Sequence, residues 1–219
     1  MLRLAATLLY AAFAVSVAAD PIRGDATSTG INVQGGTCSF TNYTLPPGLY
    51  GTGLGPSNWA GGSKCGSCLQ VTGEKTGRSV VVTDSCPSCT KNRLNLFSDA
   101  FSQIANPNDG IINIQYEPVS CHLSSPLVLR TKEGSSRWFF SVQVLSANFP
   151  VIALDVSNDN LQTWQPTVRM DYNFFEKDGK GGFDKDVVAV RVTCSNGRTV
   201  VVPELRLQEK TSIAAPVNC

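Results

Sequence analysis

Alternating apolar and polar positions define the first half of the chain. Ser67 to Thr72, Ser79 to Thr83 and Ile111 to Val119 alternate or are rich in β-branched side chains, a pattern that predicts strands. Glycine and proline punctuate the intervals, as at Gly35-Gly36 and Pro46-Pro47-Gly48. One stretch has helical spacing instead. Phe97, Phe101 and Ile104 recur at three- and four-residue steps, predicting a short helix from Ser98 as N-cap to a stop before Pro107. Many short strands and one helix predict a small closed barrel.

The second half reads as strand throughout: Phe139 to Leu145, Val151 to Val156, Val187 to Cys194 and Arg198 to Leu207. Val188, Val190 and Val192 alternate with Ala189, Arg191 and Thr193, as in a strand with one face inside and one outside. Asn196-Gly197 between the last two runs is a hairpin signal, and the whole predicts a β-sandwich. The short polar segment His122 to Pro126 reads as a connection. The division is then a barrel domain over 20–121, a linker over 122–126 and a sandwich over 127–219.

Residues 1–19 have the form of a secretion signal, with Arg3, an apolar run from Leu4 to Val17, and small residues at Val17-Ala18-Ala19. The run is short of the ~20 residues a membrane span needs, so a secreted, extracellular protein is expected, with no membrane association. Net charge is +1, from 18 basic and 17 acidic side chains. That balance offers no basic field for nucleic acid and makes a neutral polymer the easier partner. In an exported chain eight cysteines predict four disulfides. Cys65, Cys68, Cys86 and Cys89 also fit the spacing of a zinc ribbon, but the other four cysteines would still need partners. With His122 the only histidine, a His-rich metal site is excluded; no metal or cofactor is expected.

The candidate chemistry starts at Asp84, an acid closing the β-branched run Val81-Val82-Thr83 just before the Cys86-Pro87-Ser88-Cys89 turn. It is either a turn aspartate capping backbone N–H groups or a cleft carboxylate facing a sugar. An inverting glycosidase needs a second carboxyl about 6.5–9.5 Å away, and the natural position, in Leu94-Asn95-Leu96, holds an amide that transfers no proton at neutral pH. Asp99 lies in the first turn of the helix, where the helix dipole explains an acid. Trp138-Phe139-Phe140 cannot all point inward from a regular strand, so at least one ring is exposed or the strand is bulged. Exposed rings suit stacking on sugar faces, whereas core packing with one edge aromatic is the plainer alternative. Met170 to Phe175 supplies a second aromatic group, and Trp164 is a weaker candidate. Asn42, in Asn42-Tyr43-Thr44, is the single glycosylation sequon.

Thr83 to Cys89, Leu94 to Phe101 and Asp109 to Ile114 resemble the first domain of expansins, and Lys132 to Trp138 with Met170 to Asn173 resemble the carbohydrate-binding module of that family. The resemblance covers the chain beyond residue 19, and the Cys-Pro-x-Cys turn gives it a microbial, fungal character. It implies an all-β protein: a six-stranded double-psi β-barrel with one short helix, followed by a β-sandwich carbohydrate-binding domain. It further implies a monomer that binds cellulose of plant cell walls and loosens it without hydrolysis. Thr27, Thr29 and Asp84 correspond to groove residues; Trp138, Phe139 and Tyr172 to a three-ring platform; Lys132 to a basic residue beside it. The pairings it implies are Cys38–Cys65, Cys68–Cys121, Cys86–Cys89 and Cys194–Cys219. Phe139 departs conservatively from the usual second tryptophan, and Cys86 stands at a position that can hold a groove tyrosine in bacterial members. Asn95 is the serious departure, standing where the family carries the aspartate most closely tied to loosening. Two other readings follow: a binding-only wall-targeting or elicitor module with a silent groove, and a weak inverting endoglucanase.

Overall fold

The computed structural model describes residues 20–30 and 33–219, so the secretion signal expected over 1–19 lies outside the described residues. Six strands, β1 (Ile22–Thr29), β2 (Tyr50–Leu54), β3 (Cys68–Thr72), β4 (Gly77–Ser85), β5 (Leu94–Phe97) and β6 (Ile111–Val119), close into a barrel in the order β1-β5-β2-β4-β3-β6. Strand β1 runs parallel to β5 and β2 parallel to β4, while the other neighbours are antiparallel. Closure leaves no free edge, and the interior is filled by Ala26, Leu69, Val71, Val80, Val82, Leu94, Leu96, Ile112 and Ile114.

The expected helix is α2 (Ser98–Ile104), preceded by a four-residue helix α1 (Pro56–Trp59) that the spacing did not predict. Ala100, Phe101 and Ile104 of α2 are buried against the barrel. Its N-cap is Phe97, not Ser98. The Ser98 hydroxyl instead donates to the carbonyl of Thr29 at 2.8 Å, tying the helix to the end of β1.

The second half contains β7 (Val128–Thr131), β8 (Ser141–Leu145), β9 (Val151–Ser157), β10 (Gln165–Pro166), β11 (Val168–Arg169), β12 (Phe175–Glu176), β13 (Val187–Cys194), β14 (Thr199–Arg206) and β15 (Ser212–Ala214). They form a four-stranded sheet, β10-β9-β13-β14, and a five-stranded sheet, β11-β12-β8-β7-β15. One apolar cluster joins the two, with Leu129 and Val142 from one sheet and Leu154, Val190 and Val202 from the other. The β13–β14 turn is the Asn196-Gly197 hairpin, with Gly197 at a φ of 81° that suits glycine.

Disulfides join Cys38 to Cys65, Cys68 to Cys121, Cys86 to Cys89 and Cys194 to Cys219. None of the eight cysteines is free, so no thiolate remains for the alternative zinc ribbon. Among the described residues no helix is long and apolar enough to cross a membrane.

A buried polar seam joins the two halves. Gln143, wholly buried on β8, donates Nε2–H to the carbonyl of Cys38 at 2.7 Å, and Asn173 donates to the same carbonyl at 3.4 Å. The Arg130 guanidinium donates to Gln143 Oε1 and to the carbonyls of Ser39 and Thr41. Burial pushes the Arg130 pKa below its ordinary value. Such a seam stabilises only while fully satisfied, because an unpaired buried group keeps its whole desolvation cost. Replacing Gln143 with Leu leaves the Cys38 carbonyl only its longer bond from Asn173 and strands one guanidinium donor. The expected loss is about 1–3 kcal/mol, read as a lower thermal midpoint under non-reducing conditions.

Candidate functional site

The barrel residues singled out in the sequence come together through strand register. Thr27 on β1 pairs with Asn95 on β5; Asn95 pairs with Gly53 on β2; Gly53 pairs with Asp84 on β4. These four positions form one row across four adjacent strands. Residues flanking the row on β1 and β5 (Ala26, Leu94, Leu96) point into the core, so Thr27 and Asn95 face outward. The Thr27 hydroxyl donates to Asn95 Oδ1 at 3.0 Å. Ile111, the β6 partner of Thr27, ends the row 59 % exposed.

Asp84 joins the row because the β2–β4 register slips by one residue between Thr52 and Gly53. An unbroken ladder would set Thr83 beside Gly53; the irregularity sets Asp84 there, as bulges beside functional sites commonly do. Its Oδ1 accepts three hydrogen bonds: from the Thr37 backbone at 2.6 Å, the Thr37 hydroxyl at 2.8 Å and the Ser85 backbone at 2.8 Å. Thr37 can reach it because Gly36 lies flat on β4, where a Cβ would fall 2.4 Å from the Thr83 carbonyl. Asp84 therefore does what the turn reading said and also stands in the row. Thr37 carried no signal in the sequence.

Two strand spacings separate Asp84 from Asn95, about 9–10 Å, close to what an inverting carboxyl pair requires. Position 95, however, holds an amide. The next carboxylate on this face is Asp25, two residues before Thr27 and overlooked in the sequence. It lies a further strand from Asp84, about 14 Å along the sheet. It is also bound through both oxygens by Arg93, at 2.6 and 2.9 Å, and that hydrogen bonding holds its pKa below the ordinary value. A carboxylate so held is a poor proton donor. Asp99 is turned to its own helix and accepts from the Ala100 backbone. Thr29, two residues past Thr27, pairs with Phe97.

A second cluster lies on the five-stranded sheet. Of the three consecutive aromatics, Trp138 is 67 % exposed, Phe139 is half-buried, and Phe140 is buried edge-on to Phe183 at 5.1 Å. The β7–β8 turn presents Trp138, with Ser136 bridged to Phe139. Gly182 backs that turn: a Cβ there would sit 1.9 Å from the Arg137 carbonyl. The Arg137 guanidinium lies over the Trp138 ring at 5.0 Å. Tyr172, in the β11–β12 turn, is half-buried and has the Lys132 ammonium over its ring at 4.3 Å. Each ring thus carries a cation on one face. The Tyr172 turn also reaches the barrel, where Gly62 fits against the Asp171 backbone too closely for a Cβ, at 2.6 Å. Trp164 lies apart, under Arg191 at 4.6 Å. Asn42 sits on an exposed turn.

Residues 52–116 match a family model described as lytic transglycolase. Expansin-YoaJ of Bacillus subtilis is 34 % identical over 188 residues, covering 83 % of this chain and 78 % of its own. The chain belongs to the expansin family. Expansin-like protein 1 of Dictyostelium discoideum is 25 % identical over 81 % of this chain and 66 % of its own. Among solved structures, an Asp-to-Asn mutant of the Clavibacter michiganensis expansin, in complex with cellohexaose, superposes with a TM-score of 0.82 at 30 % identity. The match covers 91 % of this chain and 98 % of that one. The expansin barrel here is accordingly a double-psi barrel.

The Asp25–Arg93 pair carries a pH signature. A lowered folded-state pKa contributes stability that is fully present above the unfolded value near 3.8 and is lost as pH falls through the lower folded value. Arg93→Met is expected to lower the thermal midpoint by a constant amount from pH 5 to 7 and by progressively less below about pH 4. An undiminished deficit in acid would show that Arg93 acts through packing alone.

Proposed function

We propose that this expansin is a secreted monomer that binds cellulose or a related β-glucan of plant cell walls and loosens it without hydrolysis. Residues 20–121 supply a groove domain, and residues 127–219 a β-sandwich carbohydrate-binding domain, joined by 122–126. The observation that carries the reading is the composition of the groove row. One carboxylate, Asp84, faces outward, and the position at glycosidase distance holds the amide of Asn95. Such a row can hydrogen-bond a glucan chain on both sides yet lacks an acid–base pair to cleave it.

Binding is supported by the platform. Trp138 stands out to solvent on a turn pinned from behind, with Tyr172 and the flanking Phe139 on the same five-stranded side and Lys132 beside them. Cellohexaose is the ligand in the Clavibacter relative's complex, obtained with a protein in which an aspartate had been replaced by asparagine. Thr27, Thr29, Asp84 and Asn95 are the residues proposed to touch glucan in the groove.

One observation favours a second reading. If loosening needs an acid at position 95, Asn95 leaves a binding-only module with a silent groove. The test is extension of a clamped wall strip under constant load, with soluble sugar assayed in the same bath. Creep without sugar release is the expected result, and release of oligosaccharide would establish a glucanase instead. Trp138→Ala is expected to weaken cellulose binding by roughly 3- to 10-fold, and unchanged binding would remove the platform. Asn95→Asp should alter creep little; a large gain would establish the silent groove. For Asp84 the informative variant is Asn, since Ala would also release the Thr37 turn.

A further inference from the structure

Beneath Tyr172 lies a charged group that neither the groove nor the platform has yet used. Glu176, on β12, is 3 % exposed. It is paired in register with Ser141 on β8, and Ser141 in turn accepts the Lys132 backbone N–H at 3.0 Å. Lys132, Ser141 and Glu176 therefore stand abreast on three neighbouring segments. Glu176 Oε1 accepts the Ser141 hydroxyl at 2.9 Å and the Tyr172 phenol at 2.8 Å, and the Lys132 ammonium lies 3.8 Å from it. Tyr172 and Glu176 are four residues apart around a turn in which Asn173 takes a positive φ of 65°. The carboxylate thus reaches the far end of the ring.

A buried carboxylate with a single cation at 3.8 Å is an expensive way to fill a core position, because most of its hydration is lost. A methionine or leucine would fill the space at less cost. What the carboxylate supplies is direction. It holds the phenol by a charge-assisted hydrogen bond and keeps the ammonium over the ring, so both groups have one arrangement before any ligand arrives. An unanchored tyrosine and lysine would have to be ordered on binding.

We infer that Glu176 is the positioning residue of the platform, fixing the Tyr172 ring and the Lys132 ammonium in their glucan-ready places without itself touching glucan. This rests on the platform reading. Burial first, and the Glu176 hydrogen bond and charge next, push the Tyr172 phenol up from its ordinary value of 10.0 to about 12.

The test uses the full secreted protein with microcrystalline cellulose as probe. Glu176→Gln keeps the shape and an acceptor but removes the charge; Glu176→Leu removes both; Tyr172→Phe keeps the ring and removes the tether. Glu176→Leu is expected to weaken cellulose binding about 2- to 10-fold, with Glu176→Gln between it and the native protein. Glu176→Leu combined with Tyr172→Phe should bind no worse than Glu176→Leu alone. In Glu176→Gln the ring-carbon resonance of Tyr172, assigned by its loss in Tyr172→Phe, should titrate lower, toward 10.0. A core-filling role would not tie affinity to the phenol in this way. Native affinity in a folded Glu176→Leu, losses that add with Tyr172→Phe, or an unmoved titration would each overturn the proposal. If Leu does not fold, the Gln variant carries both readouts alone. Trp138→Ala separates the levels: normal binding there overturns the platform and this proposal with it, whereas a loss there beside native Glu176 variants overturns the positioning role only.

Discussion

Everything on the barrel face depends on cross-strand register, above all on the two parallel pairings. Thr27 and Asn95 are distant in sequence and meet because β1 lies parallel to β5; Gly53 and Asp84 meet because β2 lies parallel to β4. Parallel neighbours need long crossovers, so the barrel core and its disulfides must hold residues that no local preference brings together. A one-residue slip would turn each side chain to the opposite face. The one slip among the described barrel pairings, between Thr52 and Gly53, is the one that puts Asp84 in line. Cys38, bridged to Cys65, anchors the turn whose Thr37 clamps that same aspartate. The groove and the scaffold are therefore one construction.

The same turn connects the groove to the other half. Cys38 offers its carbonyl to Gln143 and Asn173, and Asn173 is the neighbour of Tyr172. Arg130 adds two further contacts across the seam, to the carbonyls of Ser39 and Thr41, and one to Gln143 on its own side, none to a carboxylate. A guanidinium satisfied by carbonyls and an amide is insensitive to the protonation of any acid, so this junction keeps its geometry across a wide pH range. Only a few bonds separate the Asp84 clamp from the Tyr172 turn. The two proposed sugar-facing surfaces are thus fixed relative to one another by buried polar geometry as well as by apolar packing.

How much of this was legible in the sequence follows from what each strand buries. Strands β3, β4 and β6 announced themselves because one face is apolar, as with Val80 and Val82 or Ile112 and Ile114. Strands β1, β2 and β5 were missed. Ile22–Thr29 is polar on its outward face, Tyr50–Leu54 looks like glycine punctuation, and Leu94–Phe97 is only four residues long. Those three carry most of the groove row, so the hidden strands and the candidate site are largely the same residues. Long-range partners were illegible for a different reason. Nothing local to Thr37, Gly182 or Glu176 reveals that each supports a candidate residue across a turn or a sheet. Asp84, Asn95 and Trp138 were legible because each breaks a local pattern: an acid ending a valine run, an amide between leucines, a tryptophan among too many consecutive aromatics.

The amide at position 95 is more than an acid with its charge removed. The Thr27 hydroxyl donates to Oδ1, and the other end of the same amide, Nδ2, carries two donor hydrogens. An aspartate there would present only acceptors. With Asn95 the row offers a donor at one position and the acceptor Asp84 two strands away. Sugar hydroxyls donate and accept, so a chain lying across the row can satisfy both at once, whereas two carboxylates would compete for hydroxyl protons and repel one another. Separating glucan chains requires replacing their mutual hydrogen bonds and stacking with equivalent contacts to protein, and it requires no proton transfer. Under the proposed reading, a groove with Asn95 in place of an acid lacks a carboxyl pair for cleavage and still offers hydrogen bonds that compete for the hydroxyls between neighbouring chains.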